Sequence, residues 1–87
     1  MKVIILDGTN LTSKAEAHRY MKEMLGFPDY YGANLDALDD CLSELSGDTA
    51  VVIINAEAAK SALGGYADGI LEDFIDVLGP SGRVTII

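Results

Sequence analysis

The sequence predicts an α/β domain over residues 1–87: a three-stranded parallel sheet covered by about four helices, in the order β-α-α-β-α-α-β. Three observations lead there. Val3–Leu6, Ala50–Ile54 and Val84–Ile87 are short runs of strand-forming residues without the alternation of a half-exposed strand. Such runs mark strands covered on both faces, as in parallel sheets. Each gap between them carries apolar residues at helical spacing, enough for two helices. Strands joined through helical crossovers pair in parallel, with right-handed connections. A chain of 87 residues holds one such unit and no second.

Each helix has its own boundary signals. Ser13-Lys14-Ala15-Glu16 is a capping box, which opens a helix. That helix runs to Leu25 with Ala17, Met21, Met24 and Leu25 facing inward, and Gly26 stops it. Asn34 caps a second helix that ends near Ser46-Gly47-Asp48. Asn55 caps a third, from about Ala56 to Leu63, closed by Gly64 and Gly65. The last helix spans roughly Tyr66 to Leu78, with Ala67, Ile70, Leu71, Phe74 and Leu78 on one stripe. Gly79, Pro80 and Gly82 end it. Gly69 inside this helix costs about 1 kcal/mol relative to alanine, a cost that close packing would justify.

Nearly half the residues are apolar, so a packed domain is expected rather than a disordered chain. The formal charge of −8 disfavours nucleic acid, anionic membranes and anionic substrates. It favours a basic partner, whose encounter it would speed. A single cysteine, Cys41, cannot form an intramolecular disulfide, which fits a reducing compartment. The apolar run before Asp7 is too short for a signal-peptide core or a membrane span, so the chain reads as cytoplasmic.

The candidate chemistry lies in Phe27–Leu42, FPDYYGANLDALDDCL. A tight aromatic loop feeds a helix whose Leu35, Leu38, Leu42 and Leu45 form an inward stripe. Asp36, Asp39 and Asp40 fall off that stripe. Asp36 and Asp40, one turn apart, project side by side, an arrangement that costs a few tenths of a kcal/mol in a helix selected for stability alone. Asp36 gains from the helix dipole in the first turn; Asp39 and Asp40 gain less. A solvated face is the plain alternative. The carboxylates nevertheless lack lysine or arginine neighbours along the helix, although Lys60 or Arg83 could approach through the fold. The last helix adds Asp68, Glu72, Asp73 and Asp76, a second acidic surface that could join the first. Of Tyr30 and Tyr31, one packs on the core and fixes the loop. The other, exposed beside carboxylates, has the make-up of an interface anchor.

Other chemistries fit less well. The alternating acids and central glycine of a calcium loop are absent, so no metal site is assigned. A carboxylate-pair hydrolase would need two acids held across a cleft with their pKa values pushed apart. Cys41 has acidic neighbours, which raise a thiol pKa, and reads as a small core or half-buried residue. His18, beside Arg19 and with no nucleophile pattern around it, reads as a surface residue. Gly64-Gly65 and Gly79-Pro80-Ser81-Gly82 are turns, not phosphate loops.

Tyr30-Tyr31-Gly32-Ala33-Asn34-Leu35-Asp36-Ala37-Leu38-Asp39-Asp40-Cys41-Leu42, preceded by Phe27-Pro28-Asp29, closely resembles the signature of the barstar family, intracellular inhibitors of barnase-type secreted bacterial ribonucleases. The match is dense over about sixteen residues. Looser similarity covers nearly the whole chain, including Phe74 and the closing Val84–Ile87 strand. The resemblance implies a barstar-like fold and an inhibitor that plugs a ribonuclease active site with the second helix and its loop. In the family, the tyrosine matching Tyr30 packs on the catalytic histidine, and the loop glycine and asparagine correspond to Gly32 and Asn34. The aspartates matching Asp36 and Asp40 meet the basic residues that would hold the RNA phosphate. An acid matching Asp76 reaches another arginine. The chain departs from the pattern at Asp39, where the family has tryptophan. It also departs at Ala33, where the family has a loop glutamate, and at Pro80, where a glutamate often stands.

The expected function is therefore a non-catalytic, cofactor-free inhibitor, monomeric in a 1:1 complex with a basic secreted ribonuclease. Its expected contact residues are Tyr30, Gly32, Asn34, Asp36, Asp39, Asp40 and Asp76. The alternatives are an immunity protein or antitoxin against another basic toxin and, in a different class, a small carboxylate-dependent or metal-binding hydrolase.

Overall fold

The computed structural model describes residues 1–87 and has the predicted element order. Strand β1 (Lys2–Asp7) leads through helices α1 (Lys14–Leu25) and α2 (Leu35–Ser43) to β2 (Thr49–Ile54). Helices α3 (Ala56–Leu63) and α4 (Gly65–Leu78) then lead to β3 (Val84–Ile86). Single turns of 3₁₀ helix follow β1 and α4. The sheet is parallel throughout, in the order β1-β2-β3. Ile4 and Leu6 stand beside Val51 and Ile53, which stand beside Val84 and Ile86, so one row of side chains points to one face.

That face carries the core. Ile4, Leu6, Val51 and Ile53 are buried with Ala17, Met21, Leu38, Leu42, Ala67, Ile70, Phe74 and Leu78. The opposite face is open. Val3 is 56% exposed, Ile5 54% and Ile87 70%. The expectation of a sheet covered on both faces is therefore wrong. Branched apolar residues satisfy strand propensity whether or not a second layer covers them.

Local signals set the helix ends. The Ser13 hydroxyl accepts from the Glu16 N–H at 3.1 Å. The Glu16 carboxylate does not complete the box; it accepts from Arg19 instead, at 2.8 and 3.0 Å. Gly26 terminates α1 in the left-handed conformation that glycine adopts freely (φ 70°). Met24, expected inward, is 41% exposed. Asn55 precedes α3 without capping it through its side chain. Its amide instead donates to the Asp7 carboxylate at 3.0 Å and ties the ends of β1 and β2 together. Helix α2 stops at Ser43, short of the expected end near Ser46, so Leu45 continues the apolar stripe from a turn.

Candidate protein-binding face

The loop between α1 and α2 is built from short-range bonds. The Tyr31 N–H donates to the Pro28 carbonyl at 3.0 Å, closing a turn with Asp29 and Tyr30 at its tip. Tyr30 is 84% exposed, whereas Tyr31 folds back with its ring 4.9 Å from that of Phe27. The two tyrosines thus divide as expected into one ring packed against the core and one exposed. A Cβ at Gly32 would press on Ala37 Cβ at 3.3 Å, so the loop lies tight against the first turn of α2. Ala33 takes a left-handed backbone (φ 51°), which costs a non-glycine residue about 1 kcal/mol. Asn34 then caps α2. Its Oδ1 accepts from the Ala37 N–H at 2.8 Å and its Nδ2 donates to the Gly32 carbonyl at 3.3 Å.

Helix α2 buries Leu38 and Leu42 and leaves Asp36 and Asp40 exposed, with Asp39 half-buried. A cleft of about 210 Å³ separates the tyrosine loop from α2 and is lined by Tyr30, Gly32, Ala37, Asp40 and Glu44, among others. Tyr30, Gly32 and Asp40 therefore share one depression. Asp36 and Asp39 lie near enough to α4 for their charges to act on Asp73. The two helices approach closely at Gly69, where a Cβ would stand 2.7 Å from Leu35 Cδ1. The close packing that would justify this glycine is present.

One turn further along α4 sits Asp73, and on it the acidic surface converges. Its carboxyl is pushed up to about 6, first by burial and then by Asp39, Asp76, Asp36 and Glu72. Its Oδ2 is hidden from solvent and has no hydrogen-bond partner. None of these acids is neutralised by the chain's own cations. Arg19 pairs with Glu16 and Glu23, Lys22 lies 3.8 Å from Asp29, and Lys60 lies 3.9 Å from Glu57. Arg83 donates to the Ser46 and Thr49 carbonyls. Lys60 and Arg83, the two cations considered as neutralising partners, are both held elsewhere. Cys41 is half-buried, and burial, then Glu44 and Asp40, hold its thiol above the usual range.

Two residues of the site were not singled out from the sequence. Asp73 was one acid among several on the last helix. Its signal is its position one residue before the buried Phe74, which places it at the edge of the α2–α4 contact. His18, expected at the surface, is 2% exposed. Its Nδ1 lies 2.6 Å from the Tyr31 hydroxyl and its Nε2 2.5 Å from that of Tyr66. The signal was its place at i, i+3 and i+7 with Met21 and Leu25, on the inward stripe of α1.

No group of three or more histidine, cysteine or acidic side chains is arranged to hold a metal ion. No helix is long and apolar enough to cross a membrane. An α/β domain presenting unpaired carboxylates beside an exposed tyrosine is complementary to a basic protein surface. The chain belongs to the Barstar family: residues 1–81 match the family described as "Barstar (barnase inhibitor)". It is also 44% identical, over 73 residues, to the Bacillus subtilis (strain 168) protein named "Putative ribonuclease inhibitor YrdF". That alignment takes in 83% of this chain and 80% of the relative.

Proposed function

We propose that this chain is a ribonuclease inhibitor that covers the active site of a basic, barnase-type secreted enzyme with the tyrosine loop and the acidic faces of α2 and α4. The observation that carries this reading is a set of carboxylates left without cations beside a ring that is 84% exposed. A ribonuclease active site holds arginine and lysine for the RNA phosphates, and a carboxylate offers those groups the same forked acceptor geometry. In the complex Asp36 and Asp40 stand in for phosphate oxygens, and Asp76 takes a further cation. Asp39 and Asp73 add negative charge between them, and Tyr30 packs flat on the enzyme's catalytic histidine. The caps and close contacts at Gly32 and Asn34 hold the loop before binding, which reduces the ordering cost on association.

The inhibitor works by occlusion, in the cytoplasm, as one molecule per enzyme over an interface of roughly 1,600 Å² in total. The hydrolase alternative is less well supported. The raised carboxyl of Asp73 would suit a general acid, but no cavity opens onto it where a substrate could be enclosed.

Titration of the protein into a barnase-type ribonuclease, with RNA cleavage as readout, tests the reading. Cleavage should fall to zero at one equivalent. Undiminished cleavage at a tenfold excess, together with binding to a basic toxin of another chemistry, would move the chain to the immunity-protein class.

A further inference from the structure

His18 joins three elements. It projects from α1, and its two ring nitrogens meet hydroxyls from the binding loop (Tyr31) and from the start of α4 (Tyr66). We propose that His18 is the positioning residue of the tyrosine loop, and that its protonation releases the loop, so that binding through Tyr30 weakens as the pH falls. The last clause rests on the inhibitor reading above; the positioning role does not.

A neutral imidazole has one N–H donor and one bare nitrogen. In the row Tyr31–His18–Tyr66 one tyrosine donates to the ring and the other accepts from it, so both nitrogens are satisfied. Once protonated, the ring can only donate. The hydroxyl that pointed into it must turn away and find another acceptor, in a site where His18 is 2% exposed. No carboxylate bonds the ring to compensate. Its own helix carries the cations Lys14, Arg19 and Lys22, of which Arg19 is paired with Glu16 and Glu23 and Lys22 lies 3.8 Å from Asp29. Lys14 Nζ lies 4.6 Å over the Tyr66 ring, and Arg19 and Lys22 line the same depression as His18, Tyr31 and Ala33. From α2 the facing group is Cys41, which acts on Tyr31; from α4 they are Tyr66 and Asp73, and Asp73 acts on both tyrosines. Burial holds the His18 pKa below the ordinary histidine value. The tie is thus intact above about pH 6.5 and is lost as the pH falls through that lowered value.

The loop is the part that yields, because it has few other ties. Asp29, Tyr30, Gly32, Ala33 and Asn34 are all exposed, and Ala33 is held in a left-handed conformation it would leave if free. Apart from the short-range bonds at Tyr31 and Asn34 and an exposed, 3.8 Å Lys22–Asp29 pair, the loop is anchored by the Tyr31 ring on Phe27 and the Tyr31 hydroxyl on His18.

The test is nitrogen-15 relaxation of the loop amides between pH 8 and pH 5 in the free protein, with the His18 ring resonances followed in parallel. The same samples are used to inhibit a barnase-type ribonuclease. In the wild type, residues 29–33 should lose order with the His18 midpoint while β2 does not. His18→Gln keeps a donor and an acceptor without titrating, so its loop should be insensitive to pH. Tyr31→Phe keeps the His18–Tyr66 bond but cuts the tie, so its loop should be mobile at every pH; it serves if His18→Gln does not fold. Relative to His18→Gln, whose profile carries the enzyme's own titration, wild-type inhibition should weaken by about tenfold between pH 7.5 and pH 5. A loop that ignores the His18 titration, or a Tyr31→Phe loop that titrates like the wild type, overturns the proposal. A loop that follows His18 while no variant inhibits at any pH supports the positioning role and removes the inhibitor reading instead.

Discussion

Asp40 stands exposed on α2 and pairs with none of the chain's own cations. Truncation of Asp40 should therefore leave the free protein nearly unchanged and act on the complex. Asp40→Ala is expected to weaken inhibition by about 3–5 kcal/mol, because it leaves buried enzyme cations unpaired. Glu57→Ala, outside the acidic face, should change inhibition by under about 0.5 kcal/mol. Equal small effects of the two in a ribonuclease inhibition assay would remove Asp40 from the site. Asp73 differs because the fold has already covered it. Its pKa is about 6, and an unfolded aspartate titrates near about 3.9. The protonated form's contribution to stability is thus complete below about pH 3.9 and is lost as the pH rises through about 6. Asp73→Asn should raise the unfolding midpoint by about 3 °C or more at pH 8 and leave it unchanged at pH 3.5, in thermal melts at the two pH values. The sequence made Asp40 legible because spacing alone places it beside Asp36. It did not single out Asp73 or His18, since their burial depends on elements far along the chain, Asp39 on α2 in one case and Tyr66 on α4 in the other.

Between elements, the α2–α4 contact decides whether the acids form one surface or two. Leu38 and Leu42 seat α2 in the core with no exposed area, so Leu42→Ala should cost about 2–5 kcal/mol in denaturant unfolding. Helices α4 and α2 come close at Gly69, whose missing Cβ makes room for the end of the Leu35 side chain. Alanine would favour the helix by about 1 kcal/mol over glycine, but here the methyl group meets Leu35. We expect Gly69→Ala to gain little or lose stability in the wild type, and to gain close to that 1 kcal/mol in a Leu35→Ala background. A double-mutant cycle measured by urea unfolding gives the coupling; strict additivity would mean that the contact carries no strain. The helices were legible because each has an apolar stripe, and because α1 and α2 also open on a capping side chain, Ser13 and Asn34. The open face of the sheet was not, because Val3, Ile5 and Ile87 have the composition of covered strand residues although they face outward. The place of Asn55 before α3 suggests a cap, but the neighbouring strand, through Asp7, claims its side chain.

Over the whole molecule, charge is unevenly used. Fourteen acids face six lysines and arginines. Arg19, Lys22 and Lys60 pair on their own helices or with the adjoining loop, Lys14 lies over the Tyr66 ring, and Arg83 is held by carbonyls near the sheet. The excess negative charge therefore falls largely on α2 and α4, around the tyrosine loop. A field of this kind accelerates the encounter with a basic enzyme and fades once salt shortens its reach, from about 10 Å at 0.1 M to about 3 Å at 1 M. In the proposed complex the contacts made after docking would be packed and partly dehydrated, and salt screens such contacts much less. Salt should therefore act mainly on association. Between about 0.05 M and 1 M salt the association rate with a barnase-type ribonuclease should fall by about tenfold or more, with dissociation changing by less than about threefold. Stopped-flow mixing followed by competition measures the two rates separately. An association rate indifferent to salt would mean that the acidic face does not meet the enzyme, whatever the strength of the final complex. A dissociation rate that carried most of the change would place the carboxylates at a wet rim of the interface rather than at its centre.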